Sequence, residues 1–585
     1  MVLYWGVEGI MAYFLKKSKL KKGTYLQIYE SFYDPQRRQT AHHSYKALGY
    51  VDELIDKGIS DPVAYYQNEV DILNQERKNE KEAGRVRQIS AETPEKNLGY
   101  FLLKSINDSL GASGYLDLLQ MQYGFKFAVS EMLSSLIYAR AVQPCSKSKT
   151  YDEVLPTLYE QTGFSKDQLY TGMDFFGREY EKIIEIYSAQ ISQIWPSDTS
   201  HTYFDCTNFY FEIDREDDFR RRGPSKESRH DPIVGMGLLL DANQIPIGMK
   251  MYPGNESEKP VIREVIDGLK KRNAITGRTI QVADKGLNCA GNIVHALQAG
   301  DGYIFSKSVK MLPETEKTWV LLDNDYQDVL DDNNKLKFRI KSCVDDFPYT
   351  ITDSSGKKKT VLLREKRVVS YNPQLAEKKK YEINKQIEKA RILSASKAKK
   401  DEFGDSAKYV RFLAKDKDAG LGRKVTTELN HEAIDEDLRL AGYNLIVTSE
   451  VKMSSRQIYD AYHNLWRIEE SFRIMKSQLD ARPVYMRTRE TITGHFLVCY
   501  LTVLLARLLQ FKALDNKYSS EELLSLIRDF RAVKVSDRRS VNITRNGPTI
   551  QRIAAETSLP LTSYFLSEGD IKRIMKYRFE IKERK

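Results

Sequence analysis

Residues 202–211, Thr-Tyr-Phe-Asp-Cys-Thr-Asn-Phe-Tyr-Phe, set one acid, Asp205, inside a run of aromatic and β-branched residues. Such residues suit a pleated, half-buried surface, so Thr202–Ile213 reads as a strand. Aspartate is depleted in strands because its carboxylate competes for backbone hydrogen bonds and resists burial. Asp205 is therefore either a solvated acid on an edge strand or a functional group. Downstream, Ile233–Leu240 and Ile245–Tyr252 read as two more strands around the turn Asp241-Ala242-Asn243-Gln244. A helix at about Pro260–Lys271, the strand Thr279–Ala283, the helix Asn292–Ala299 closed by Gly300 and the strand Gly302–Phe305 follow. Three strands and then a helix–strand alternation predict an α/β domain on a mixed sheet.

Two further acids stand out. Asp284 follows the apolar run Ile280-Gln-Val-Ala and precedes Lys285-Gly286. That is the carboxyl end of a strand, where open α/β sheets bind ligands, although Asp near Gly is also an ordinary turn. Ser454, with Gln457 three residues on, forms a capping box that opens a long helix. Along it Tyr462, Leu465, Trp466, Glu469, Phe472, Arg473 and Lys476 recur at helical spacing and predict one face. Glu469 would then lie on the core-facing stripe, where an unpaired carboxylate costs several kcal/mol and needs a metal, a cation or a proton. An ion pair with Arg473, four residues on, is the bland alternative. Glu470 is expected to project to the flank.

The rest of the chain frames these residues. Its 585 residues exceed one core and imply three or more domains, and a 41% hydrophobic fraction excludes wholesale disorder. A net charge of +10 favours a polyanionic partner without specifying one. Cys145, Cys206, Cys289, Cys343 and Cys499 form no CxxC pair and read as reduced thiols of a cytoplasmic protein. The apolar run Phe496–Ala506 stops at Arg507 and reads as a buried core helix rather than a membrane span. Met1–Leu15 lacks the basic start of a signal peptide, and Met11 offers an alternative start, so residues 1–10 are a candidate start-site artefact.

The expected divisions are 1–97 (strands and a charged helix), 98–200 (helical), 201–309 (core), 310–441 (insertion), 442–515 (core resumed) and 516–585 (helical). In the first, Leu26, Ile28 and Phe32 alternate on one side of a strand before the turn at Asp34-Pro35. In the insertion, short strands at Thr318–Leu322, Phe338–Ile340 and Thr360–Leu363 surround a helix from Pro373 to about Lys400. That helix is rich in lysine, which usually marks a solvated face.

Taken together these motifs resemble the insertion-sequence DDE transposases of the "IS-four" type, bacterial enzymes, in the branch with a long amino-terminal region. Thr202-Tyr-Phe-Asp-Cys-Thr resembles the first-aspartate strand, and Gly223-Pro-Ser-Lys-Glu-Ser-Arg-His-Asp-Pro resembles the segment that follows it. Val282-Ala-Asp-Lys-Gly-Leu-Asn resembles the second-aspartate motif. Tyr462-His-Asn-Leu-Trp-Arg-Ile-Glu-Glu-Ser-Phe-Arg-Ile-Met-Lys-Ser, with Gly494-His-Phe after it, resembles the glutamate helix. Tyr462, Glu469 and Lys476 fit the family's Y-(2)-R-(3)-E-(6)-K signature, and Leu465 occupies its arginine position.

The resemblance implies an RNase H-like catalytic core interrupted by a β-rich insertion, in an α/β chain with a largely helical amino-terminal region. It implies that Asp205, Asp284 and Glu469 hold two Mg²⁺ ions, replaceable by Mn²⁺, and that Tyr462, Lys476 and Arg473 contact DNA phosphates. The expected partners are double-stranded DNA (terminal inverted repeats and target) and a second copy of the chain, in the cytoplasm on the nucleoid and without a membrane. A non-enzymatic DNA-binding protein and a nuclease with the same core are the rival readings.

Overall fold

The structure is a computed structural model that describes residues 10–34, 39–83, 94–226, 230–272, 274–352, 356–396, 400–414, 425–536 and 538–579. The opening nine residues, the turn at Pro35 and the far end of the charged 60–90 stretch lie outside these. So do residues 227–229 of the quoted 223–232 motif. The chain divides into two units, Met1–Thr93 and Pro94–Lys585.

The first unit is an antiparallel sheet of β1 (Ile10–Leu20), β2 (Gly23–Asp34) and β3 (Gln39–Tyr50), with a helix at Pro62–Ala83. Leu26 and Ile28 are buried as their alternation predicts. Beyond them Ser31 is buried and Phe32 only partly so, next to a register shift at which β3 carries an extra residue, Tyr45, opposite Ile28 and Tyr29. Ser31 satisfies its hydroxyl by donating to the Ala12 carbonyl at 3.0 Å.

In the second unit, β4 (Glu95–Asn97) precedes a run of helices from Phe101 to Ile194, as the apolar spacing predicts. The main sheet then begins with β5 (His201–Tyr210), β6 (Ile233–Leu240) and β7 (Pro246–Pro253), an antiparallel meander. β8 (Ile280–Ala283) and β9 (Gly302–Lys307) lie parallel to β5, giving the spatial order β7-β6-β5-β8-β9. The sheet does not stop there. β10 (Gln327–Leu330), β11 (Leu336–Thr352), β12 (Lys358–Tyr371) and, past the small β13–β14 hairpin (Val410–Ala414, Val425–Leu429), β15 (Tyr443–Thr448) join it. The complete order is β10-β11-β12-β15-β9-β8-β5-β6-β7.

The stretch 310–441 thus contributes three strands to the main sheet instead of standing apart from it. Thr318–Leu322, expected as a strand, lies mostly in the helix Glu314–Leu321. Glu314 and Glu316 in its first turn complement the helix dipole and outweigh the short β-branched run. A last sheet orders β18 (Phe565–Ser567), β17 (Arg539–Asn542) and β16 (Arg531–Ser536) against β4.

Both faces of the main sheet are covered. Tyr203, Val234, Met236, Val282 and Ile446 join a core shared with the helical region, whereas Phe204, Leu239, Ala283, Phe305 and Val447 face a second core. At the centre of the first core lies Arg489–Leu508, the buried helix the sequence predicts, buried from Ile492 to Leu508. The span to Ala513 is long and apolar enough to cross a membrane by length and composition, but its apolar window is wholly buried inside the protein. This helix crosses Lys166–Arg178 at close range. A Cβ on Gly494 would lie 2.2 Å from the Met173 carbonyl oxygen, and one on Gly177 would lie 1.7 Å from that of Glu490. Gly494→Ala gains about 1 kcal/mol of helix preference, but backbone atoms cannot step aside cheaply. We expect a net destabilisation of about 1–3 kcal/mol, read as a lower urea midpoint with an unchanged slope.

Candidate active site

Parallel pairing sets Phe204 opposite Ala283. One residue further on, Asp205 and Asp284 therefore come side by side at the carboxyl ends of adjacent strands. Asp205 lies on the Tyr203 face of β5, against which the helix Trp466–Arg473 packs. Asp284 ends β8 and starts a short turn at Lys285–Leu287. The Cys206 N–H donates to Asp205 Oδ1 at 2.8 Å, and Lys226 Nζ lies 3.8 Å from the same oxygen. These do not fully offset the surroundings. Burial first, with Glu258 and Asp284 adding like charge, pushes the Asp205 carboxyl up to about 6.

The third acid arrives through Tyr462. Its hydroxyl donates to Asp284 Oδ1 at 2.9 Å. Burial, with the negative fields of Asp284 and Glu469 adding to it, drives that phenol well above its ordinary range. Asp205, Asp284, Tyr462 and Glu469 are thus within electrostatic reach in sequence, each of its neighbour.

Glu469 does not lie on a core-facing stripe. The stretch from Ser454 is not one regular helix but Ser455–His463, a turn at Asn464-Leu465, Trp466–Arg473 and a widened π turn over Ile474–Gln478. The stripe it buries is Leu465, Ile468, Phe472 and Met475, which keeps Leu465 and Phe472 of the expected one and replaces Glu469 and Lys476 by the residues before them. Glu469 is exposed, as is Trp466 at 54%. Glu470 is the member of the pair turned toward the core. It meets Arg507, wholly buried on the central helix, at 3.1 Å, and Arg473 at 3.9 Å. Arg507 also donates to Gln510 Oε1 at 2.9 Å and to Ser471 Oγ at 3.4 Å. Lys476 is half-buried, its ammonium 5.3 Å from the centre of the Phe209 ring. Leu465, at the signature arginine position, is a core residue.

Sequence reasoning missed Lys226, Glu258 and Arg507. Lys226 donates to the Cys206 carbonyl and stands 3.8 Å from Glu258 as well as from Asp205, a cation placed between two acids. No periodicity marks it, since it sits in a loop. Arg507 does carry a sequence signal, a lone arginine ending an apolar helix, which once buried needs an acid partner.

The donor set suits a hard cation, with oxygen ligands and one buried carboxylate incompletely neutralised. Among the described residues, however, no three His, Cys, Asp or Glu side chains lie close enough to hold a metal ion. The acids are neighbours linked by Tyr462, not a closed cage.

Fold and site define an α/β protein with carboxylates gathered at the ends of adjacent parallel strands. The chain belongs to the transposase DDE domain family, matched over residues 197–505, and that family comprises enzymes that cut and transfer DNA. A solved structure titled as a piggyBac transposase synaptic complex with hairpin DNA matches at a TM-score of 0.34 and 7% identity, over 74% of this chain and 78% of that one. No curated protein matches the sequence.

Because folding raises the Asp205 carboxyl above its ordinary 3.8, the ionised form costs stability above about pH 6, and the cost fades as pH falls toward 4. In metal-free buffer Asp205→Asn is expected to melt higher than wild type at pH 8, by about 3 kcal/mol at most, with the gap closing below pH 5. Arg507→Met leaves Glu470 facing the core without its cation and is expected to destabilise by about 3–5 kcal/mol in chemical denaturation.

Proposed function

We propose that the chain is a transposase of the insertion-sequence "IS-four" type, built on an RNase H-like core, that excises and inserts a DNA segment by two-metal phosphoryl transfer. The observation that carries this reading is the β5–β8 register, which sets Asp205 beside Asp284, with Tyr462 tying Asp284 to the helix that leads, across one turn, into that of Glu469. The β7-β6-β5-β8-β9 order, an antiparallel meander followed by two parallel strands, supports the RNase H-like assignment.

In this proposal Asp205, Asp284 and Glu469 are the metal ligands. Two Mg²⁺ ions supply activation of the attacking oxygen and stabilisation of the leaving oxygen. Glu469, exposed on its helix, would be the third carboxylate to hold them. Tyr462 holds Asp284 in orientation beforehand. Tyr462, Lys476 and Arg473 then contact phosphates beside the scissile bond. Water attacks phosphorus at the transposon end and the 3′-oxygen leaves as a hydroxyl. That hydroxyl next attacks a target phosphodiester, joining the strands. The helical 98–200 region and residues 310–441 bind the terminal inverted repeats, and two copies of the chain hold the two ends together, in the cytoplasm on nucleoid DNA.

Asp205→Ala, Asp284→Ala and Glu469→Ala are each expected to lower Mg²⁺-dependent nicking of end-sequence duplex by about a thousandfold or more, with DNA binding retained. Wild-type nicking by any one of them removes that residue from the site. Nicking without joining to target DNA would indicate a nuclease.

A further inference from the structure

Beside Asp284 the surface opens into a groove of about 510 Å³. Lys285, Lys307, Lys310, Lys378, Lys379 and Lys408 line it, against only two acids, Glu382 and Asp437. The lysines come from five separate places: the turn after β8, the end of β9, the turn at Val309–Met311, the helix Pro373–Ala395 and the segment Lys400–Tyr409. Their convergence is therefore a product of the fold and not of one lysine-rich helix face.

The acids nearby are already engaged. Lys310 lies 2.7 Å from Asp437 and 3.7 Å from Glu436, Lys408 is 3.4 Å from Asp437, and Lys379 is 3.1 Å from Glu382. Lys285, Lys307 and Lys378 have no carboxylate within 4 Å among the described residues. Lys307 is half-buried, and burial together with Arg367 lowers its affinity for its proton. Lys307 rests 5.5 Å from the centre of the Tyr349 ring, in the field of Glu365 and Glu316. Six lysines against two acids still repel one another, and an anion seated in the groove relieves that repulsion. Lys285 directly follows Asp284, so the groove starts where the acids end.

We infer that this groove seats the phosphate backbone of duplex DNA flanking the bond held at Asp205 and Asp284, with Lys285 and Lys378 as its phosphate contacts. The inference rests on the transposase reading and assigns to it a path for the DNA across residues 310–441. Lysines act here as point charges that position the duplex without reading its sequence. The lysine-rich helix that usually signifies only a solvated face is, on this account, one wall of the DNA path.

The test compares the full-length chain with Lys285→Ala/Lys378→Ala in binding a labelled 40-base-pair duplex of arbitrary sequence, by fluorescence anisotropy between 50 and 200 mM KCl. Each lost phosphate contact removes about 0.9 from the slope of log affinity against log salt. The double variant is expected to lose about 2 from that slope and roughly tenfold or more in affinity at the lowest salt. The matching double Lys→Arg variant keeps the charge and is expected to bind as wild type. An unchanged slope in the alanine variant, equal weakening in the arginine variant, or competition by poly-glutamate as effective as by unlabelled duplex would each overturn the inference. Failure of the reaction itself would show separately, as wild-type protein that binds duplex with the full slope but does not nick it in Mg²⁺.

Discussion

Four backbone pairs between β5 and β8, from His201–Ile280 to Phe204–Ala283, decide where the acids of this chain stand. Neighbouring strands lie about 4.8 Å apart, so two residues in the same register at their ends are brought within side-chain reach whatever those residues are. A slip of one residue would turn Asp205 to the other face of the sheet, into the core that holds Phe204 and Cys206. The two cores guard against that slip. Tyr203 on one side and Phe204 on the other are almost completely buried, and exchanging their faces would disrupt the packing of both.

The remaining features act through this pairing. Burial of Asp205 keeps a carboxylate in surroundings that disfavour its charge, with Lys226 as partial compensation. Stability is given up at one residue, a common feature of sites prepared for a charged partner. The Arg507–Glu470 pair does the reverse work. It fixes the helix of Glu469 to the central apolar helix by a buried ionic contact, and so leaves Glu469 itself facing outward. Beyond Asp284 the groove's six lysines extend the polarity of the site, acid at the strand ends and basic along the adjoining groove.

Much of the arrangement was legible in the sequence because alternation and turn residues act locally. β6 and the helix opened by the Ser454–Gln457 capping box fall where the pattern predicts, and β5, β7 and β9 within a few residues of it. Asp284 could be placed at a strand end from its flanking residues alone. What could not be read depended on contacts distant in sequence. Charged outward residues such as Lys337, Arg339 and Asp345 hid the length of β11, and nothing local tells that β12 pairs with β15. The burial of Glu469 was misread because a single helical period was carried across the turn at Asn464-Leu465, and a shift of one residue exchanges Glu469 for Ile468. In the first unit, the alternation of Leu26 and Ile28 does not carry on to Phe32, which is only partly buried.

The most direct measurement is anomalous diffraction from crystals of the full-length chain soaked in Mn²⁺. The account predicts a manganese peak in contact with the carboxylates of both Asp205 and Asp284, lost in the Asp284→Ala protein. Manganese bound only elsewhere, or a peak at this place that survives the loss of Asp284, would contradict it.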